Sequence, residues 1–267
     1  MNLPILYDLP IWISGALFLV VMLLAHEVGY RLGLRRGEMS RDGGSVGSDV
    51  VLTSILATFG LILAFTYAFT VSRADMRKRV NVDEANAIGT AFLRAGLVAN
   101  PEGAELKRAL LEYARTRVVT PESVSSRAKF NEALRRSLEA QAKLWPITER
   151  IVKSKRPGPI EASLVAAINQ VLDMNTTRLT IAFDRLPQVI LFMLLFVSGA
   201  SLAIAGFNSG LSGRFSRWRM TVLALVLALV IFIIIDFDYP QQGFIRINQV
   251  PIQSTIADME ANLSWNE

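Results

Sequence analysis

Four stretches of this chain each hold close to the roughly 20 mostly apolar residues needed to cross a hydrocarbon core. They run over about residues 10–26, 50–72, 187–207 and 219–236. Backbone in lipid must satisfy its own hydrogen bonds, so such a chain is expected to cross the bilayer as helices. Composition agrees, with 52% hydrophobic and 19% charged residues against about 25% charged in a soluble domain. No Lys or Arg precedes the first stretch and no small-residue cleavage site follows it, so it reads as a span rather than a signal peptide.

Between spans two and three lies a polar segment with 20 Lys+Arg and 13 Asp+Glu over residues 73–186. Its apolar residues recur at helical spacing. One stripe is Leu106, Leu110, Tyr113 and Arg117; a second is Phe130, Leu134, Leu138 and Trp145; a third runs from Ile160 through Leu164, Ile168, Val171, Asn175 and Leu179 to Phe183. Breakers at Pro101, Pro121, Pro157 and Pro159 punctuate these helices, and Pro146 is expected to break the second after Trp145. From Val50 to Ala99 there is no proline, so span two is expected to continue unbroken into the polar segment. The fold class is therefore all-α. The expected organisation is an N-terminal membrane hairpin (1–72), a helical soluble domain (73–186) and a C-terminal membrane hairpin (187–237). A tail (238–267) would pack on the soluble domain, extended over Gly243–Val250 and helical around Ile252, Ile256, Met259 and Leu263.

The two short loops carry Arg31, Arg35, Arg36, Arg41, Arg214, Arg217 and Arg219. Weighted toward short loops, positive charge puts them on the cytoplasmic side. The opposite side carries as many near the membrane, in Arg73, Arg77, Lys78, Arg79, Arg178, Arg185 and Arg246, so the side of the soluble domain stays open. Arginines at membrane edges suit anionic lipid head groups, and nucleic acid is not an expected partner.

Chemistry has little to work with. Cysteine is absent and His26 is the one histidine, which excludes thiolate sites and His-rich metal sites. His26-Glu27 opens an HExxH frame, but Tyr30 stands where the second histidine belongs. Glu27 has an ordinary partner in Arg31 one turn on. No cofactor, metal or catalytic activity is expected.

Several residues remain as candidates. Gly29, Gly33 and Gly37, with Gly206 and Gly210, have the spacing that lets helices approach closely, and the first set also suits a turn. Ser48 or Asp49 would cap span two. On span two, Ala57, Leu61, Phe65 and Phe69 form one stripe with Thr58, Thr66 and Thr70 beside it. Around a symmetry axis such a stripe makes apolar rings that gate by dewetting; otherwise it faces lipid or a neighbouring helix. Arg73, Arg77, Lys78 and Arg79 follow it. Asp236 and Asp238 end span four, where the helix dipole disfavours acidic residues, which makes them candidates for binding an ion.

The run LILAFTYAFTVSRADMRKRVNVDEANAIGTAFLRA at 61–95 and DFDYPQQGFI at 236–245 resemble the bestrophin-like domain proteins of bacteria, a group similar at a distance to bestrophin anion channels. The resemblance covers most of the chain and implies a homo-oligomer, a pentamer around a central pore, in the bacterial inner membrane. It implies an apolar neck at Leu61 and Phe65, with Ala57 or Phe69 adjoining, and a basic residue after the neck at Arg73. The sequence departs from bestrophins where Ala74-Asp75 replace a Trp-Trp pair and where their acidic calcium clasp is reduced to Asp236 and Asp238. The reading that follows is an oligomeric channel conducting inorganic ions, anions by resemblance. The alternative is a non-conducting sensor or scaffold that binds a partner through its helical domain.

Overall fold

The structure, a computed structural model, describes residues 11–39, 46–98, 101–154, 158–211, 217–238 and 248–264. Among these there are helices, turns and loops but no strand. The helices are α1 (Ile11–Met39), α2 (Val46–Ala95), α3 (Pro101–Thr116), α4 (Arg127–Ala142), α5 (Leu144–Ser154), α6 (Pro159–Phe183), α7 (Gln188–Leu211), α8 (Arg217–Asp238) and α9 (Val250–Ser264). With no proline in its interior, α2 runs through 50 residues as one helix and belongs to both compact units of the chain. It begins at Val46, so Ser48 and Asp49 lie inside its first turn rather than capping it.

One unit comprises Met1–Ala74 and Arg185–Ile245. It holds four helices long and apolar enough to cross a membrane, with candidate spans Trp12–Arg36, Val50–Ala95, Gln188–Leu211 and Trp218–Asp238. Its core joins Phe18, Met22, Phe59, Leu191, Leu194, Leu202, Ala224, Ala228, Ile231 and Ile235. The most extensive packing is α1 on α7. Glycine makes it possible: a Cβ at Gly29 would overlap the carbonyl of Ala203, and one at Gly206 that of His26. Gly33 and Gly210 meet Phe207 and Tyr30 in the same way. Gly29 and Gly33 thus lie within a helix and serve helix approach, not a turn, and Gly37 lies within the same helix. In lipid, where burial between helices gains little hydrophobic free energy, such shape matching is what holds two helices together. His26 sits in this contact with Nδ1 3.4 Å from the Leu202 carbonyl oxygen, while Glu27 accepts from Arg31 at 2.8 Å on the exposed side.

The other unit comprises Asp75–Asp184 and Arg246–Glu267. Its core draws Ile88, Ala91, Phe92 and Ala95 from α2 and Leu106, Leu110 and Tyr113 from α3. To these it adds Leu144 and Ile151 from α5, Leu164, Ile168 and Val171 from α6, and Ile252 and Met259 from α9. Ser126 caps α4 by accepting from the Lys129 amide at 3.2 Å. Pro159 opens α6, and the Gly158 amide donates to Glu161 Oε2 at 3.0 Å. The second expected stripe fails. Helix α4 ends at Ala142, so Trp145 belongs to α5, and Pro146 sits harmlessly in that helix's first turn. Leu138 and Trp145 are exposed, and α4 instead turns Ser137 and Ala140 inward. Ile160 is exposed as well, while the rest of the third stripe from Leu164 to Asn175 is buried. Of the extended tail, residues 243–247 lie outside the described residues, and Val250 already begins α9.

Candidate functional site

In the membrane unit α2 differs from its neighbours. Only 11% of its apolar window is buried, against 28% for α1 and 39% for α7 and α8. Phe59, Thr66 and Thr70 turn inward, and Tyr67 meets the Phe237 ring edge-on at 6.2 Å between centroids. At 100° per residue the opposite face carries Ser54, Ala57, Leu61, Phe65, Ala68 and Ser72, all exposed. Leu61 is 58% and Phe65 68% exposed. Phe69, also exposed, lies about 80° round from Leu61, where the Arg73 guanidinium stacks 5.0 Å over its ring.

The chemistry of that exposed face sets α2 apart. On the other spans the exposed large side chains include Leu17, Val20, Leu24 and Val28 of α1, Val189, Phe192, Met193 and Phe196 of α7, and Val222, Leu225, Val226 and Leu229 of α8. Among the exposed positions of the spans at 12–36, 188–211 and 218–238, only Thr221, near the start of α8, carries a hydroxyl. On α2, Thr53, Ser54, Thr58 and Ser72 are exposed within about 80° of Leu61, while Tyr67 lies about 120° round, on the side of Phe237. Ser54 and Thr58 donate to the carbonyls of Val50 and Ser54, each at 2.9 Å. Thr66 and Thr70 donate likewise one turn back, at 2.8 and 2.7 Å. These bonds lower the cost of hydroxyls in a membrane span.

The four basic residues after the stripe do not act alike. Lys78 and Arg79 are exposed, with Lys78 Nζ 3.3 Å from Asp75. Arg77 is buried and donates to the Asp184 carbonyl at 2.9 Å. Asp236 and Asp238 are both buried at the end of α8. Both carboxylate oxygens of Asp238 lie 3.1 Å from the Leu186 amide. The carboxylate that looks misplaced at the C-terminus of α8 thus stands just ahead of the N-terminus of α7, where the dipole favours it. Among the described residues no group of three or more His, Cys, Asp or Glu could hold a metal ion.

Sequence reasoning missed a buried ion cluster in the polar unit. Glu84 of α2, fully buried, accepts from Arg117 Nε at 2.7 Å and from Arg178 Nη1. Arg117 also donates to Ser137 Oγ at 2.8 Å, and Arg178 to the Arg117 carbonyl at 3.1 Å. The Tyr113 hydroxyl approaches Glu84 at 3.5 Å. Burial pushes the Tyr113 phenol far above its ordinary value; Glu84 adds to the rise, and Arg117 and Arg178 oppose it. The available signal was Arg117, a charge ending an otherwise apolar stripe.

These features define an all-α membrane protein with four candidate spans. The chain belongs to the Bestrophin-like family: the model of the Bestrophin-like domain matches residues 16–252. No curated protein and no solved structure matches it.

Proposed function

We propose that the chain is one subunit of a homo-oligomeric ion channel of a bacterial inner membrane, conducting anions, with α2 lining the pore. The observation that carries this is the exposed face of α2. Four hydroxyl-bearing residues share the exposed face of α2, against the single exposed Thr221 on the other three spans, and this favours a face toward water or toward a second copy over one toward lipid. Membership of the Bestrophin-like family supports the same reading, and the pentamer is what the resemblance implies. Leu61 and Phe65 form the neck in this proposal, with Ala57 and Phe69 flanking it, and gate by excluding water. Arg73, Lys78 and Arg79 raise the positive potential beyond the neck, with Arg77 contributing from within the fold. No bond-making chemistry is required.

The test is halide and cation efflux from proteoliposomes. Phe65→Ala is expected to raise halide flux over the wild type, with Leu229→Ala on α8 leaving it unchanged. No flux from either Phe65→Ala or the wild type, with oligomers intact, would reject conduction and favour a scaffold.

A further inference from the structure

The polar unit contains a cavity of about 490 Å³ between the C-terminal end of α2, the start of α3 and α9. That volume is in the range of small-molecule sites. Phe92, Ala95, Val98 and Ala104 give it an apolar wall, and its polar groups include Lys107 and Asn262. Lys107 is the unusual member, a lysine only 9% exposed. Its ammonium donates to Asn262 Oδ1 at 2.7 Å and lies 4.7 Å over the centroid of the Phe92 ring. Among the described residues no carboxylate lies within 4.0 Å of it. An ammonium has three donors, and a buried one held only by a neutral amide and a ring lacks the counter-charge that makes burial cheap. Arg94, on the same stretch of α2, is spent on the Ser163 carbonyl at 2.8 Å and adds no second cation.

We infer that this cavity binds a small monocarboxylate with an apolar body, its carboxylate on Lys107 and its body against Phe92, Ala95 and Val98. One buried cation matches one negative charge; a dianionic phosphate would carry a charge the cavity does not neutralise. The site is independent of conduction, since it is built wholly within the polar unit.

The probe is benzoate, titrated calorimetrically into the full chain in lipid nanodiscs with empty nanodiscs subtracted. Benzylamine, with the same ring and the opposite charge, and inorganic phosphate serve as comparisons. Saturable benzoate binding is expected, weakened at least about tenfold by Lys107→Met, as loss of a charge-assisted hydrogen bond implies. Ala104→Trp, at an exposed lining position, is expected to abolish binding by filling the cavity while leaving Lys107 in place. Its melting temperature, matched to the wild type, shows that the fold survives. Absence of benzoate binding would overturn the inference, as would equal binding of benzylamine or phosphate. Binding unchanged in Ala104→Trp would overturn it too.

Discussion

The two units of this chain hold themselves together by different physics. In the membrane unit the decisive contact is backbone against backbone, where Gly29 and Gly33 of α1 lie against the Ala203 and Phe207 carbonyls and Gly206 and Gly210 of α7 against those of His26 and Tyr30. In the polar unit it is a side-chain core around Phe92, Tyr113 and Leu144, wrapped round the buried Glu84–Arg117–Arg178 cluster. Apolar side chains gain by leaving water but gain little by leaving lipid, so close approach does in one unit what hydrophobic burial does in the other. The polar unit can also hold an ion cluster inside its side-chain core, whereas the buried carboxylates of the membrane unit, Asp236 and Asp238, lie at the end of α8. A dense side-chain shell can supply every hydrogen bond that Glu84 needs.

The comparison breaks first, and hardest, at Gly206. Gly206→Leu drives a side chain into the His26 carbonyl, and backbone cannot yield as a flexible side chain would. The expected loss exceeds about 3 kcal/mol, the upper end of ordinary overpacking. Size-exclusion profiles and thermal melts in detergent would show little folded protein. Glu84→Gln comes next. Two guanidiniums would lose their carboxylate, at a cost of about 3 kcal/mol or more. Arg117→Met on that background is expected to restore part of the melting temperature, since it removes an uncompensated charge.

The smallest effect belongs to Tyr113. Its phenol is held protonated in the fold mainly by burial, so the unfolded chain releases that proton first, beginning near the ordinary value of 10.0. Stability from this source is complete below pH of about 10 and falls as pH rises further. Tyr113→Phe is expected to cost no more than about 1 kcal/mol at neutral pH and to flatten the decline in melting temperature above that point.

How much of this could be read from the sequence follows from what each signal depends on. Four long apolar stretches and a proline-free run report directly on spans and on the continuity of α2, because length and backbone compatibility are local properties. The stripe of Leu106, Leu110 and Tyr113 was legible because the large apolar residues of α3 fall on the face that the helix buries. Helix α4 misled because its buried face is Ser137 and Ala140, while Leu138 points out. Small residues carry no periodic signal. Glu84 was invisible for a related reason, since a charge in helical register resembles a solvated face until its two arginine partners, 33 and 94 positions away, are brought to it. The role of Asp238 needed the same long-range information, because its partner lies on the segment before α7.

The central claim is that the free face of α2 meets water inside an assembly rather than lipid. The chain has no native cysteine, so single thiols report without background. Ala57→Cys and Ala68→Cys place thiols on that face either side of Leu61 and Phe65, and Leu229→Cys places one on the exposed face of α8. Labelling each in proteoliposomes with a charged, membrane-impermeant thiol reagent, applied to both sides, compares the faces directly. The account predicts reaction at positions 57 and 68 and none at 229. Equal protection of all three positions would contradict it and return α2 to the lipid.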